Sequence, residues 1–230
     1  MKVRYSAVFG MFLFFFLLCA CSRTEPAISY GFICLVYYQG ESESGSSAGE
    51  TGRSSPPEER YSFFVIPDAE DGIDDIEEMY FYHDKQELRW HIGREDWIIH
   101  EYEGTTWIGT RAIAMPGNEA LPRGQFRAVI INRGGEKSER FFTFDAPAEN
   151  PHPFPFLEIS DGSWRIDSAY PKNQFICYDI EGNFIKVQEL EDRDGLVSEL
   201  NLPQEVRTVA LWAEDPEYSS SALTDAVRVR

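Results

Sequence analysis

The sequence predicts an all-β protein of the antiparallel β-sandwich class, and three observations predict it. Short runs rich in β-branched and aromatic residues alternate with turn residues along most of the chain. Where a period can be read it is two, as in Glu87-Leu88-Arg89-Trp90-His91-Ile92. No stretch of comparable strength carries a sustained helical stripe.

The chain has 230 residues, enough for one or two domains. Its 43% hydrophobic and 14% aromatic content supports a real core. With 21 Lys+Arg against 39 Asp+Glu, the formal charge is −18. Such a balance excludes a phosphate-backbone binder, so no nucleic-acid partner is expected. Four Cys are too few for a disulfide-dense miniprotein.

Taken in order, the first element is a targeting segment. Lys2 and Arg4 form a basic start, and Ala7 to Leu18 form an apolar run of 12 residues. That suits a secretory signal and falls short of the roughly 20 residues a spanning helix needs. Leu18-Cys19-Ala20-Cys21 follows and resembles the bacterial lipobox. The resemblance implies that residues 1–20 are removed and that Cys21 receives a diacylglycerol and an acylated (palmitate-type) N-terminus. More than one acyl chain then ties the protein to a membrane. Cys19 departs from the commoner Ser, Ala or Thr at its position. Ordinary secretion with cleavage near Ala20 is the alternative. Ser22 stands where Asp would retain an enteric lipoprotein at the inner membrane, so the resemblance favours the outer membrane.

Residues 21–27 then read as a tether, and 28–38 as a strand. Residues 41–59 are Ser, Gly, Glu and Pro with no apolar side chain larger than Ala48, and are expected to be a disordered insert. The Gly45-Ser46-Ser47-Ala48-Gly49 within them matches a nucleophile-elbow pattern, but in low-complexity sequence it has no mechanical meaning. Cys34 and Cys177 both lie in apolar strand-like runs. An extracytoplasmic location permits a disulfide between them; two separate buried thiols are the other reading.

The acidic 70–78 segment is the best candidate for a short helix or turn. Met79 and Phe81 alternate with Tyr80 and Tyr82, and a turn at 83–86 leads to Leu88, Trp90 and Ile92 on one face. Together these predict a hairpin with one buried and one wet side. Strands at 96–102 and 106–114, then a hairpin of 124–132 with 139–145, complete a first domain over 28–145.

Leu121-Pro122-Arg123-Gly124-Gln125-Phe126 resembles the corner before strand F of fibronectin type III and immunoglobulin-like domains. Phe126 departs from the pattern, since it lacks the hydroxyl of the tyrosine corner. The resemblance implies a sandwich of that general kind.

Four Pro within 146–156 mark a linker. Beyond it, residues 157–230 predict a second, small β domain, with a hairpin around Glu181-Gly182. Leu202-Pro203 repeats the corner signal, and 219–229 resembles the last turn and strand of a fibronectin type III domain. At 74 residues the segment is short for a sandwich, so it is either a trimmed one or packs on the first domain as one unit.

Candidate sites are few. Asp68, Glu70, Asp71, Asp74 and Asp75 form a carboxylate-rich run that could hold calcium, against a reading as a solvated acidic loop. Trp90, Trp97, Trp107, Trp164 and Trp212 are expected mainly in cores, with Trp97 and Trp107 the candidates for stacking a sugar. His83, His91, His100 and His152 are scattered and suggest neither a metal site nor an acid–base pair. No catalytic constellation and no cofactor are expected. Three function classes follow: a non-enzymatic envelope lipoprotein scaffold for protein contacts, a carbohydrate- or calcium-binding module, and, last, a carboxylate hydrolase.

Overall fold

The computed structural model describes residues 25–39, 57–69 and 72–229; the signal segment, Cys21, most of the 41–59 insert, Glu70 and Asp71 lie outside these. The first strands are β1 (Ala27–Tyr38), β2 (Glu58–Asp68), β3 (Ile76–His83), β4 (Leu88–Ile92), β5 (Ile98–Tyr102) and β6 (Thr105–Ile113). Next come β7 (Gly124–Asn132), β8 (Lys137–Phe144), β9 (Phe156–Ser160), β10 (Ser163–Asp167) and β11 (Lys172–Tyr178). The chain closes with β12 (Phe184–Glu189), β13 (Asp194–Leu196), β14 (Thr208–Asp215), β15 (Ser220–Leu223) and β16 (Val227–Arg228). Helix among the described residues is confined to short 3-10 turns, one of them Ile73–Asp75 in the acidic segment.

A nine-stranded sheet runs β12-β11-β14-β15-β1-β2-β6-β5, with β16 beside β14. A four-stranded sheet, β4-β3-β7-β8, and a three-stranded sheet, β13-β10-β9, lie against it. The protein is therefore an all-β sandwich. Among the described residues all strand pairs are antiparallel except one. β15 lies parallel to β1, with Leu35 opposite Ser220, and the Leu35 N–H donates to the Ser219 carbonyl at 3.0 Å. That pair carries the large sheet from strands on one side of the Pro-rich 146–156 segment to strands on the other.

The alternation of side chains explains the layering. Leu35 and Tyr37 of β1, Tyr61, Phe63 and Val65 of β2, and Ile108 of β6 point to one face of the large sheet. They meet Met79 and Phe81 of β3 and Phe126, Ala128 and Ile130 of β7. Further along the same face, Phe175, Cys177, Val209 and Leu211 meet Leu157, Trp164 and Ile166 of the three-stranded sheet. One sheet face thus covers two hydrophobic clusters.

The 79–92 hairpin has the register its alternation requires, with Met79 opposite Ile92 and Phe81 opposite Trp90. Arg89 and His91 face solvent. Trp164 is the tryptophan at the centre of a core. Trp212 departs from the core expectation. Its neighbours Leu211 and Ala213 are fully buried, so it lies on the opposite face, paired with Leu223. The 41–59 composition is also misleading at its end, because Glu58 and Glu59 already belong to β2.

Candidate functional site

The outer face of the large sheet is open at the β1–β2–β6–β5 end. Residues of β1 that alternate with Leu35 and Tyr37 point outwards, leaving Tyr30 and Phe32 exposed at 55% and 40%. Phe32 lies opposite Phe64, Phe64 opposite Gly109, and Gly109 opposite Ile98. In the adjacent row Tyr30 is opposite Ile66, and Trp107 is opposite His100.

These rings form one cluster. Phe32 stacks on Phe64 at 5.6 Å between centroids. Trp107 meets Tyr30 edge-on at 5.8 Å and Phe32 at 5.5 Å. Gly109 makes this layering possible. A Cβ there would sit 2.0 Å from the Phe63 carbonyl and 2.7 Å from the Phe64 ring, so only glycine allows the close approach of β6 to β2. Phe64 thereby sinks into the sheet and Phe32 covers it.

Among the described residues the cluster ends at an unpaired strand edge. Each of the five residues of β5 is exposed, including Ile99 and Tyr102. Glu95, Asp96, Glu101 and Glu103 flank or belong to this strand, and none of them pairs with a cation among the described residues. Glu101 accepts a hydrogen bond from the Thr106 hydroxyl at 2.5 Å.

The two tryptophans singled out from sequence separate here. Trp107 belongs to the exposed cluster. The Trp97 indole N–H is committed to the Ile92 carbonyl at 2.9 Å, and the Arg94 guanidinium lies over its ring. Of the carboxylate run, Asp68 and Asp74 face solvent, whereas Asp75 is buried. Asp74 pairs with Arg94 at 3.1 Å. Among the described residues no three His, Cys, Asp or Glu side chains are grouped to hold a metal.

Cys34 and Cys177 are free thiols. Cys177 faces a core, while Cys34 alternates with core-facing Leu35 and points to the other side of the same sheet. Burial pushes the Cys34 pKa up to about 11, against a weak lowering contact with the Ser221 hydroxyl. His152, read as isolated, in fact joins its ring to Asp215 at 2.7 Å and packs on Tyr170. This pair fastens the Pro-rich segment to the end of β14.

Sequence reasoning missed Tyr30 and Phe32 as exposed rings lying over the buried Phe64. Both faces of the 28–38 run are apolar, so alternation could not say which face is open. The available signal was Gly109, an isolated glycine inside a strand pattern, which marks close backbone approach.

No protein-family model matches the chain, and no curated protein matches it. Among solved structures the chain is similar to dimeric latent PorU from Porphyromonas gingivalis, at 13% identity and a TM-score of 0.31. The match covers 90% of this chain and 20% of PorU, so the chain spans only a fifth of that protein's length. Murine CEACAM1b is similar at 7% identity and a TM-score of 0.25, covering 86% of this chain and 99% of that one. A chain of the Dpr11 IG1 complex with DIP-gamma IG+IG2 shows 9% identity, a TM-score of 0.26, and coverage of 88% and 98%. At such TM-scores these likenesses add nothing to what the strand order already shows. Fold and site together define a β-sandwich protein with an open aromatic sheet face.

Proposed function

We propose that this chain is a lipid-anchored bacterial envelope protein, non-enzymatic, whose sandwich is a scaffold for protein contacts. The observation that supports the contact role is the open aromatic face of Tyr30, Phe32 and Trp107 beside the bare β5 edge. Exposed aromatic clusters of this kind are characteristic of interaction surfaces. The anchoring half of the reading rests on Leu18-Cys19-Ala20-Cys21 and on the short tether to Ala27. At about 3.3–3.6 Å per residue, that tether holds the start of β1 within about 20 Å of the lipid. The outer membrane is the proposed location, on Ser22.

Metabolic labelling with palmitate tests the anchor. The wild-type chain is expected to label and Cys21→Ala not to; persistent labelling of the variant overturns the assignment. Cross-linking in intact cells tests the contact role, with protein adducts expected for the wild type and lost in Trp107→Ala. A second reading, carbohydrate binding, is favoured by the half-buried Trp107 beside the exposed Tyr30. It predicts glycan-array binding that the same variant abolishes. The edge-on ring geometry speaks for the protein reading, because sugars stack on aromatic faces that lie open.

A further inference from the structure

We propose that β5 is a docking edge for an extended, basic segment of a partner protein, which adds to the large sheet as a further strand. The proposal rests on the protein-contact reading above and names the chemistry of the partner.

Outer strands normally carry devices that stop another chain from pairing with them. β12 has Lys186, and its pairing with β11 shifts register at Cys177/Tyr178. β8 has Lys137 and Arg140, and Arg140 reaches across to the carbonyls of Ile28 and Ser29. β4 has Arg89, β13 is only three residues long, and Pro155 directly precedes β9. β5 has none of these. Its sequence is Ile98-Ile99-His100-Glu101-Tyr102, it pairs with β6 without a register shift, and it is exposed throughout.

The charges choose the occupant. Glu95, Asp96, Glu101 and Glu103 line this edge without a cationic partner among the described residues, within a chain of net charge −18. A second copy would bring the same four carboxylates against themselves, which like-charge repulsion opposes. A strand with Lys or Arg at alternate positions neutralises them instead. Its other positions, if apolar, fall on the face that Ile98, His100 and Tyr102 share with Trp107. Backbone pairing then supplies affinity, and the alternation supplies specificity.

The test uses three fluorescent peptides against the full-length chain, read by anisotropy: alternating Lys-Val, alternating Lys-Pro and alternating Glu-Val. Lys-Pro keeps the charge, but each Pro lacks an N–H and locks φ near about −65°, which takes the peptide out of β-strand geometry. Lys-Val is expected to bind at least about tenfold more tightly than either control. Ile99→Lys with Tyr102→Lys is expected to abolish that preference. Ile180→Lys with Phe184→Lys, the same charge change at the opposite edge of the sheet, is expected to leave it intact. Thermal melts confirm that each variant is folded. Equal binding of Lys-Val and Lys-Pro overturns the proposal, as does an edge variant that binds like wild type. Sedimentation showing a dimer abolished by the β5 variant assigns the edge to a second copy and also overturns it. If cellular cross-links survive the β5 variant but not Trp107→Ala, the edge proposal fails while the scaffold reading stands. If they survive both, the scaffold reading fails.

Discussion

The Tyr61 hydroxyl donates a hydrogen bond to the Pro122 carbonyl across the sandwich. It thereby supplies from β2 the contact that Phe126 cannot make at the corner before β7. Phe126 fills the remaining space, stacked on Phe81 at 4.7 Å and edge-on to Tyr61 at 5.5 Å. Glu59 and Arg123 complete the corner. Their paired atoms lie 3.0 Å apart, Glu59 also accepts from the Leu121 N–H at 2.8 Å, and Arg123 donates to the Leu121 carbonyl at 2.6 Å. Burial opposes the Arg123 charge, but Glu59 together with the Tyr61 and Tyr37 side chains more than offsets it, holding the guanidinium pKa above its usual value.

Tyr61→Phe tests this corner. The change leaves the ring packing intact and strands a buried carbonyl. It is expected to cost about 1–3 kcal/mol in denaturant unfolding. A variant as stable as the wild type would show that the corner is held by Glu59 and Arg123 alone.

Much of the fold was legible because one face of each hairpin is apolar and the other polar. The 79–92 and 124–144 hairpins read correctly for that reason, since a slip by one residue would bury Arg89 or Arg127. What local pattern could not convey was pairing between segments distant in sequence. The parallel β1–β15 pair joins residues nearly two hundred positions apart, and neither segment announces its partner. Composition places Glu59 in the insert because it registers a charge and not the Arg123 that pairs with it. The aromatic site was hidden in a run apolar on both faces, where only the three-dimensional layering separates Phe32 from Leu35.

Gly109→Ala is expected to be among the most damaging single-methyl changes in the chain. The added Cβ meets backbone atoms of Phe63 and Phe64 rather than a flexible side-chain end. β6 must then move away from β2, at a cost of several kcal/mol, on the order of 3 or more. Ala at Gly104, where nothing lies near the added atom, loses only the turn's positive φ of 74° and serves as the comparison. Equal melting temperatures for the two variants would refute the close-approach argument.

Asp84 predicts a pH signature. Its carboxylate takes two hydrogen bonds from Arg127, at 2.8 and 2.9 Å, and these hold its pKa below the usual value. A carboxyl depressed on folding adds stability above its unfolded pKa of about 3.9 and loses it as pH falls through the folded value. The Asp84 side chain is 54% exposed, so solvent screening limits the effect to under about 1 kcal/mol. Asp84→Asn should therefore lower stability by a constant small amount between about pH 5 and 8, and the difference should shrink below about pH 3.9 and vanish once pH falls below the folded pKa. A difference that grows in acid would contradict the ion pair.

The two cysteines offer a test of the layering itself. Cys34 and Cys177 sit on opposite faces of one sheet, and β15 and β14 intervene between their strands. A disulfide between them would have to pass through the sheet, well beyond the roughly 7 Å that a bridge allows between Cα atoms. Both thiols should therefore be found reduced. They should also be unreactive, because burial raises both pKa values, that of Cys34 to about 11. At pH 8 a thiol of that pKa is only about one part in a thousand thiolate, and the thiolate is the reacting form. Alkylation of the native protein followed by peptide mass spectrometry should leave Cys34 and Cys177 unmodified. The same treatment in guanidinium without reductant should modify both. Rapid native labelling of Cys34 would mean that its thiol is open to solvent rather than shielded beside Ser221. Failure to label either residue in guanidinium until reductant is added would mean that the two are bridged, and the sheet that separates them would have to be redrawn.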